Sequence, residues 1–248
     1  MSLCLTRKSG KIFSEQSQFK EFFKGKRFNL KTRRVLREEI IAMLREADYA
    51  ALRALAAEEP RLGELLLQFL YDPGDLLHWR ALEALGQVAQ AQPGQVEKLI
   101  NRLLWLLNED SGSFGWGAAA ALGEIGRNQI SLVSEIIPRF CGFLENEFSR
   151  GSMLWGLGRL AEVAPDRLRE VLPMIVPFLT SAPPEERGLA AWALGKAGYG
   201  EAAGELQALR SDDRPVAIYD RGELRQTTVA ELAREALAAL KGRSGQAN

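Results

Sequence analysis

The stretch Trp79–Val88 reads WRALEALGQV, and it returns 37 residues later as WGAAAALGEI, Trp116–Ile125. Two further echoes follow: MLWGLGRL at Met153–Leu160 and AAWALGKA at Ala190–Ala197. Taking the leucine of each Leu-Gly pair as an anchor gives Leu85, Leu122, Leu157 and Leu194, separated by 37, 35 and 37 residues. A second apolar element recurs in step, ending at Leu70, Leu107, Leu144 and Leu179. Self-similarity at this period marks a repeat architecture, because a two-helix unit cannot bury its apolar face alone and must stack on its neighbours.

Each unit therefore reads as two helices. The first is rich in small residues and carries the Leu-Gly pair. The second has apolar residues at helical spacing, as in Leu99, Leu103, Leu106 and Leu107. The segments YDPGD, NEDSGS and SAPPEE are turn-rich joints. Upstream, RRVLREEIIAMLREADYAALRALAAEEP looks like an earlier, degenerate pair.

The segments EERGLAAWALGKAG and LLHWRALEALGQV resemble bacterial HEAT-like repeats of the phycobilin-lyase type, whose first helix reads roughly Val-Arg-x-x-Ala-Ala-x-Ala-Leu-Gly. RLLWLLNEDSGSFGWGAAAALGEIGR and RGSMLWGLGRLAEV resemble more closely an uncharacterised family of bacterial HEAT-repeat proteins. The resemblance spans most of residues 36–240. It implies an all-α, HEAT-like α-α superhelical solenoid, an architecture used mainly for binding. It places Ala81, Ala118, Met153, Ala190 and the anchors in the core. Arg150 and Arg187 hold the family's arginine position, seven before the anchor, where His78 and Gly115 stand in the earlier units.

Trp79 and Trp116 lie six before their anchors, and Trp155 and Trp192 lie two before theirs. Positions four apart share a helix face, so the four rings fall on one stripe across successive units. The resemblance implies that this stripe lines a concave surface. Small residues surround it, among them Gly117, Gly151 and Gly188, and the segment SGSFGWGAAAALGEIG (Ser111–Gly126) sets glycines on both sides of Trp116. Glycine in a helix costs about 1 kcal/mol relative to alanine, so its use there needs a reason. One reason is a pocket that admits a partner, with tryptophan as anchor. The other is ring packing, with glycine making room. On the first reading the partner-binding set is Trp79, Trp116, Trp155, Trp192, Gly117, Gly151, Gly188, Arg150 and Arg187. Trp105, on a second helix, reads as core.

Charge is unevenly spread. The formal net charge is zero, yet residues 1–37 carry eleven Lys/Arg against Glu15 and Glu21. Residues 1–35 read as a basic, aromatic arm preceding a solenoid over 36–248; Lys20, Lys24, Lys26, Arg27, Arg33 and Arg34 are its basic-surface candidates. Phe19, Phe22 and Phe23 share one helix face. The arm either caps the open end of the array or offers cations to nucleic acid or an acidic partner. At the other end, Val216–Tyr219, a turn at Asp220–Gly222 and Glu223–Thr227 read as a β-hairpin insertion at about 215–227, followed by a capping box, Thr228 and Glu231. The hairpin either covers the final repeat or docks a partner.

The residues point to no catalytic constellation. His78 is the only histidine and is expected to make a structural hydrogen bond at the start of its helix. It cannot build a His-rich metal site, and the paired His-Glu motifs that bind iron in some HEAT-repeat enzymes do not occur. No nucleophile elbow or phosphate loop is found. No metal or cofactor is implied. Cys4 and Cys141 lack metal or disulfide spacing, and Cys141 reads as a buried thiol in a reducing cytoplasm. No apolar run is long enough to span a membrane. The expected function is a non-catalytic, cytoplasmic binding scaffold recognising a protein partner through a Trp-lined concave face. A nucleic-acid-binding HEAT-like protein is the alternative, using the arm and the concave arginines, for which Arg80, Arg150, Arg159 and Arg187 are the candidates. An accessory lyase or cofactor-chaperone role comes third, on fold analogy.

Overall fold

A computed structural model describes residues 30–108 and 117–244. The molecule divides into two units, residues 1–40 and 41–248. Helix α1, Leu30–Arg45, runs through the expected boundary between arm and solenoid. In the first unit Arg34 pairs with Glu38 at 3.0 Å, four residues on along the same helix. Lys20, Lys24, Lys26 and Arg27 lie outside the described residues, as does the side chain of Arg33.

The second unit is the repeat array. Its elements are α2 (Tyr49–Glu58), α3 (Leu62–Leu66), α4 (Leu76–Ala91), α5 (Pro93–Leu107), α6 (Ala118–Asn128) and α7 (Phe140–Glu145). Then come α8 (Glu147–Ala161), α9 (Leu172–Ile175), α10 (Pro184–Ala197), α11 (Ala203–Ala208), β1 (Pro215–Asp220), β2 (Glu223–Thr228) and α12 (Val229–Ser244). The first helices stack in order, α2 on α4, α4 on α6, α6 on α8, α8 on α10 and α10 on α12. The second helices, α5 and α7, rest on the first helices beside them. Most second helices are short α turns continued or preceded by 3₁₀ turns, as at Leu67–Phe69, Ile137–Arg139 and Val176–Thr180.

The helix starts follow local chemistry. Asp75 and Asn146 cap α4 and α8 by accepting from Leu77 N at 2.9 Å and Phe148 N at 3.0 Å. Proline opens α5 and α10, where a missing N–H costs nothing. The anchors Leu85, Leu122, Leu157 and Leu194 are all buried, as are Ala81, Ala118, Met153 and Ala190. At α6 and α8 the helices meet backbone to backbone: a Cβ on Gly123 would lie 2.3 Å from the Gly156 carbonyl oxygen.

The arginine position has a structural task. Arg150 donates to the carbonyls of Leu144 at 2.8 Å and Glu145 at 3.0 Å, and to Glu186 of the next unit at 3.0 Å. Arg187 repeats this on Ala182 O at 2.7 Å and Asp212 at 2.8 Å. Each guanidinium satisfies carbonyls left over at the end of the preceding second helix.

The hairpin forms with β1 one residue longer at each end, and β2 one residue longer at its C-terminal end, than the sequence pattern predicts, with Ile218 opposite Arg225 and Asp220 opposite Glu223. Arg221 and Gly222 take φ of 54° and 84° at the turn, the two positive values a type I′ connection requires. The capping box is present: Thr228 N donates to Glu231 at 3.2 Å and Glu231 N to Thr228 Oγ1 at 3.2 Å.

Candidate functional site

The tryptophan stripe converges, but it is not open. Trp155 is fully buried and Trp192 is 3% exposed, while Trp79 is half-buried. Trp116 lies outside the described residues. What closes the stripe is the hairpin. Tyr219 of β1 stacks on Trp79, with ring centroids 5.6 Å apart and planes 9° apart, and tilts against Trp155 at 6.3 Å. Trp155 stacks in turn on Trp192 at 6.5 Å. Trp155 Nε1 donates to the Tyr219 carbonyl at 2.7 Å, and Trp79 Nε1 to the Pro73 carbonyl at 2.8 Å. This corrects the expectation of an open Trp-lined face: the rings are packed by a strand from the far end of the same unit.

The glycines follow suit. Gly158 lies under the Trp192 ring, where an added Cβ would sit 2.1 Å from it. Gly188 faces Val216 and Leu232, and Gly117 faces Leu70 and His78. Gly151 alone of the three candidate glycines is half-buried with only ordinary neighbours. Glycine here admits protein neighbours. Arg150 and Arg187, offered as partner-binding residues, are instead committed to the carbonyls and acids named above.

The same stripe continues four residues further, two after each anchor, with Gln87, Glu124, Arg159 and Lys196. The structure joins these into a polar ladder that the sequence reading missed. Arg53 donates to Gln87 at 2.8 Å, and Gln87 to Asn128 at 3.4 Å. Arg159 donates to Glu124 at 2.7 Å and to Glu83 at 3.0 Å. Glu162 accepts from Arg127 and Lys196, both at 2.8 Å, and Lys196 reaches Asp220 of β1 at 3.3 Å. Glu83 also accepts from the hydroxyls of Tyr219, at 2.7 Å, and Tyr49. Arg159 lies over the Trp155 ring and Lys196 over the Trp192 ring, at 5.4 and 5.2 Å. The signal for this row was in the sequence, four residues along a stripe already recognised.

Its electrostatics lock rather than activate. Burial, then the hydrogen bond and charge of Glu83, push the Tyr49 phenol far up. Burial and the same carboxylate raise Tyr219. Burial works to lower Arg159, but Glu124, Glu162 and Glu83 outweigh it and hold the guanidinium charged. Both phenols stay protonated donors, unsuited to nucleophilic or base roles. Among the described residues no group of His, Cys, Asp and Glu is placed to hold a metal ion.

Three further expectations are corrected. His78 is buried, with its ring edge-on to Trp79 at 4.9 Å, and among the described residues Nδ1 has no hydrogen-bond partner, so the expected helix-start bond is not found there. Burial lowers its pKa to about 4, against the pull of Asp72 and Asp75. Trp105, expected in the core, is 53% exposed. The buried face of α5 is Val96, Leu99, Ile100, Leu103, Leu104 and Leu107, and a residue one step beyond Leu104 turns about 100° away from that row. Cys141 is a free thiol, half-buried rather than sealed.

Trp105 belongs to a second row. Five and two residues before Leu107, Leu144 and Leu179, successive second helices expose Arg102 and Trp105, then Arg139 and Gly142, then Met174 and Pro177. A Cβ on Gly142 would meet nothing within 4 Å. Arg139 has no ion pair among the described residues, and Arg102 reaches Glu64 only at 3.9 Å.

The fold and its two helix rows define a repeat scaffold, and comparison with known proteins agrees. The HEAT-like repeat profile matches residues 147–197, and the architecture of the array is that of a HEAT-like repeat solenoid. An uncharacterised protein of Archaeoglobus fulgidus is 28% identical over 172 residues, covering 67% of this chain and 91% of its own length. Two engineered proteins of known crystal structure share the fold. One has a TM-score of 0.51 at 18% identity, over 83% of this chain and 90% of its own. The other has 0.51 at 20% identity, over 84% and 93%. No catalytic family is indicated. Among the described residues no helix is long and apolar enough to cross a membrane.

Proposed function

We propose that this protein is a non-catalytic, cytoplasmic scaffold that binds a protein partner through the outward row of its second helices. The exposed indole of Trp105 between Arg102 and the bare Gly142 carries this reading. Tryptophan and arginine dominate binding hot spots, and a large ring left half in water on a helix exposes apolar area that a partner would cover. The cations of the row favour a partner segment in which carboxylates sit beside apolar side chains. The alternative of a phosphate track along the first helices loses its residues, because Arg80, Arg150, Arg159 and Arg187 are spent on internal carbonyls and acids. The free thiol of Cys141 is in keeping with a reducing compartment.

Recovery on the full chain from native lysate, followed by mass spectrometry, identifies the partner, and titration with that purified partner tests the surface. Trp105→Ala and Arg139→Glu each weaken binding tenfold or more, with helicity and melting temperature unchanged. Binding unaltered by both substitutions overturns the assignment of this row.

A further inference from the structure

The closed face of the first helices shows in detail what it holds. Strand β1 is read along its length by side chains from three separate repeats. The Trp155 indole takes the backbone carbonyl of Tyr219 at 2.7 Å. Trp79 stacks on the phenol ring, and Glu83 accepts its hydroxyl at 2.7 Å. Lys196 takes the carboxylate of Asp220 at 3.3 Å. Gly188, without a side chain, leaves the space that Val216 fills. Main-chain bonding combined with pockets for alternate side chains is how a protein surface recognises an extended segment.

Two observations set this apart from ordinary core packing. First, Trp192 Nε1 and His78 Nδ1 are buried at the two ends of the ring cluster without hydrogen-bond partners among the described residues. Each such group costs about 1–3 kcal/mol, so the closed face keeps two hydrogen-bond donors or acceptors that the hairpin does not satisfy. Second, the hairpin is tethered as a flap. Its base is closed by Val229 N to Arg214 O at 3.1 Å and Ala230 N to Asp212 O at 2.8 Å, while its outer strand β2 is mostly polar and half-buried, with Glu223 and Gln226 exposed. Displacing the hairpin would uncover Val216, Ile218 and Tyr219, which are now buried against the first-helix face.

We infer that the first-helix face is a recognition site for an extended protein segment bearing an aromatic residue followed by an acid. The chain's own Tyr219–Asp220 occupies it as a ligand in cis, and a partner strand of the same chemistry takes its place. This site is distinct from the second-helix row and stands or falls separately from it. Binding in trans is weakened by the fraction of molecules in which the flap is closed, so loosening the flap must tighten it.

The test uses a fluorescently labelled peptide of residues 215–228 titrated with the full-length protein. Asp220→Asn in the protein removes the charge that faces Lys196 at 3.3 Å and Arg221 at 4.0 Å and keeps the fold; Tyr219→Ala loosens the flap further. Each variant binds the wild-type peptide at least tenfold more tightly than the unmodified protein does. A peptide carrying Ala in place of the tyrosine loses that binding, and Trp105→Ala in the protein leaves it unchanged. Folded Asp220→Asn protein that binds the peptide no better than wild type, or equal binding of the alanine peptide, overturns the inference.

Discussion

A methyl group added at Gly123 would sit 2.3 Å from the carbonyl oxygen of Gly156, whereas one added at Gly142 would touch nothing. These two glycines stand for the two rows of the array. The first helices press backbone on backbone, share a ladder of buried charges and carry a strand across their face. The second helices rest on them and leave Trp105, Met174 and two arginines in water. One repeat thus builds a closed row and an open row, and the difference lies in what the rest of the chain lays over each.

The largest effects should come from breaking the closed row. Trp155→Ala removes a fully buried ring that Tyr219, Trp79 and Trp192 pack against, and should cost about 3–5 kcal/mol in denaturant unfolding. Arg159→Met should cost a similar amount, about 3–5 kcal/mol, because it leaves Glu124 and Glu83 without their shared cation. Acid should act on the same row. His78 is held neutral to about pH 4, whereas in the unfolded chain it takes a proton near 6.5. The unfolded state therefore binds more protons between those values, and stability falls as pH drops from about 6.5 to about 4. The loss approaches about 3 kcal/mol and then levels off. Burial works to raise Glu162, but Lys196, Arg159 and Arg127 outweigh it and depress its pKa, so its contribution is present above the ordinary carboxylate range and lost at still lower pH. Melting temperature followed from pH 7 to 4, with His78→Phe flattening the upper part of the curve, checks the assignment. A flat wild-type profile would remove it.

The glycine pair sharpens the contrast at smaller scale. Gly123→Ala forces α6 and α8 apart and should destabilise by about 1–3 kcal/mol. Gly142→Ala lies in open space on α7 and should stabilise by about 0.5 kcal/mol, through helix propensity alone. Equal effects from the two would show that the rows are packed alike.

Much of this was legible in advance. The Leu-Gly anchors, the two-helix period, the hairpin at about 215–227 and the Thr228–Glu231 capping box are local patterns, set by spacing and turn chemistry. The helical phase of α5 also placed Trp105 outside the row of Val96, Leu99 and Leu103, had it been followed residue by residue. The continuation of the tryptophan stripe into Gln87, Glu124, Arg159 and Lys196 was equally open to counting. The closure of that stripe was not, because Tyr219 meets Glu83 across 136 residues of chain. No periodicity in either segment announces the other.

The sequence by itself determined the unit: where the helices of each repeat fall, which leucines face inward, and that Trp79, Trp155 and Trp192 share a stripe. Only the tertiary structure decided whether that stripe meets solvent. Periodicity fixes the direction of a side chain relative to its own helix axis. Burial depends on what arrives from elsewhere, and here a distant strand found a better place against the indoles than water did.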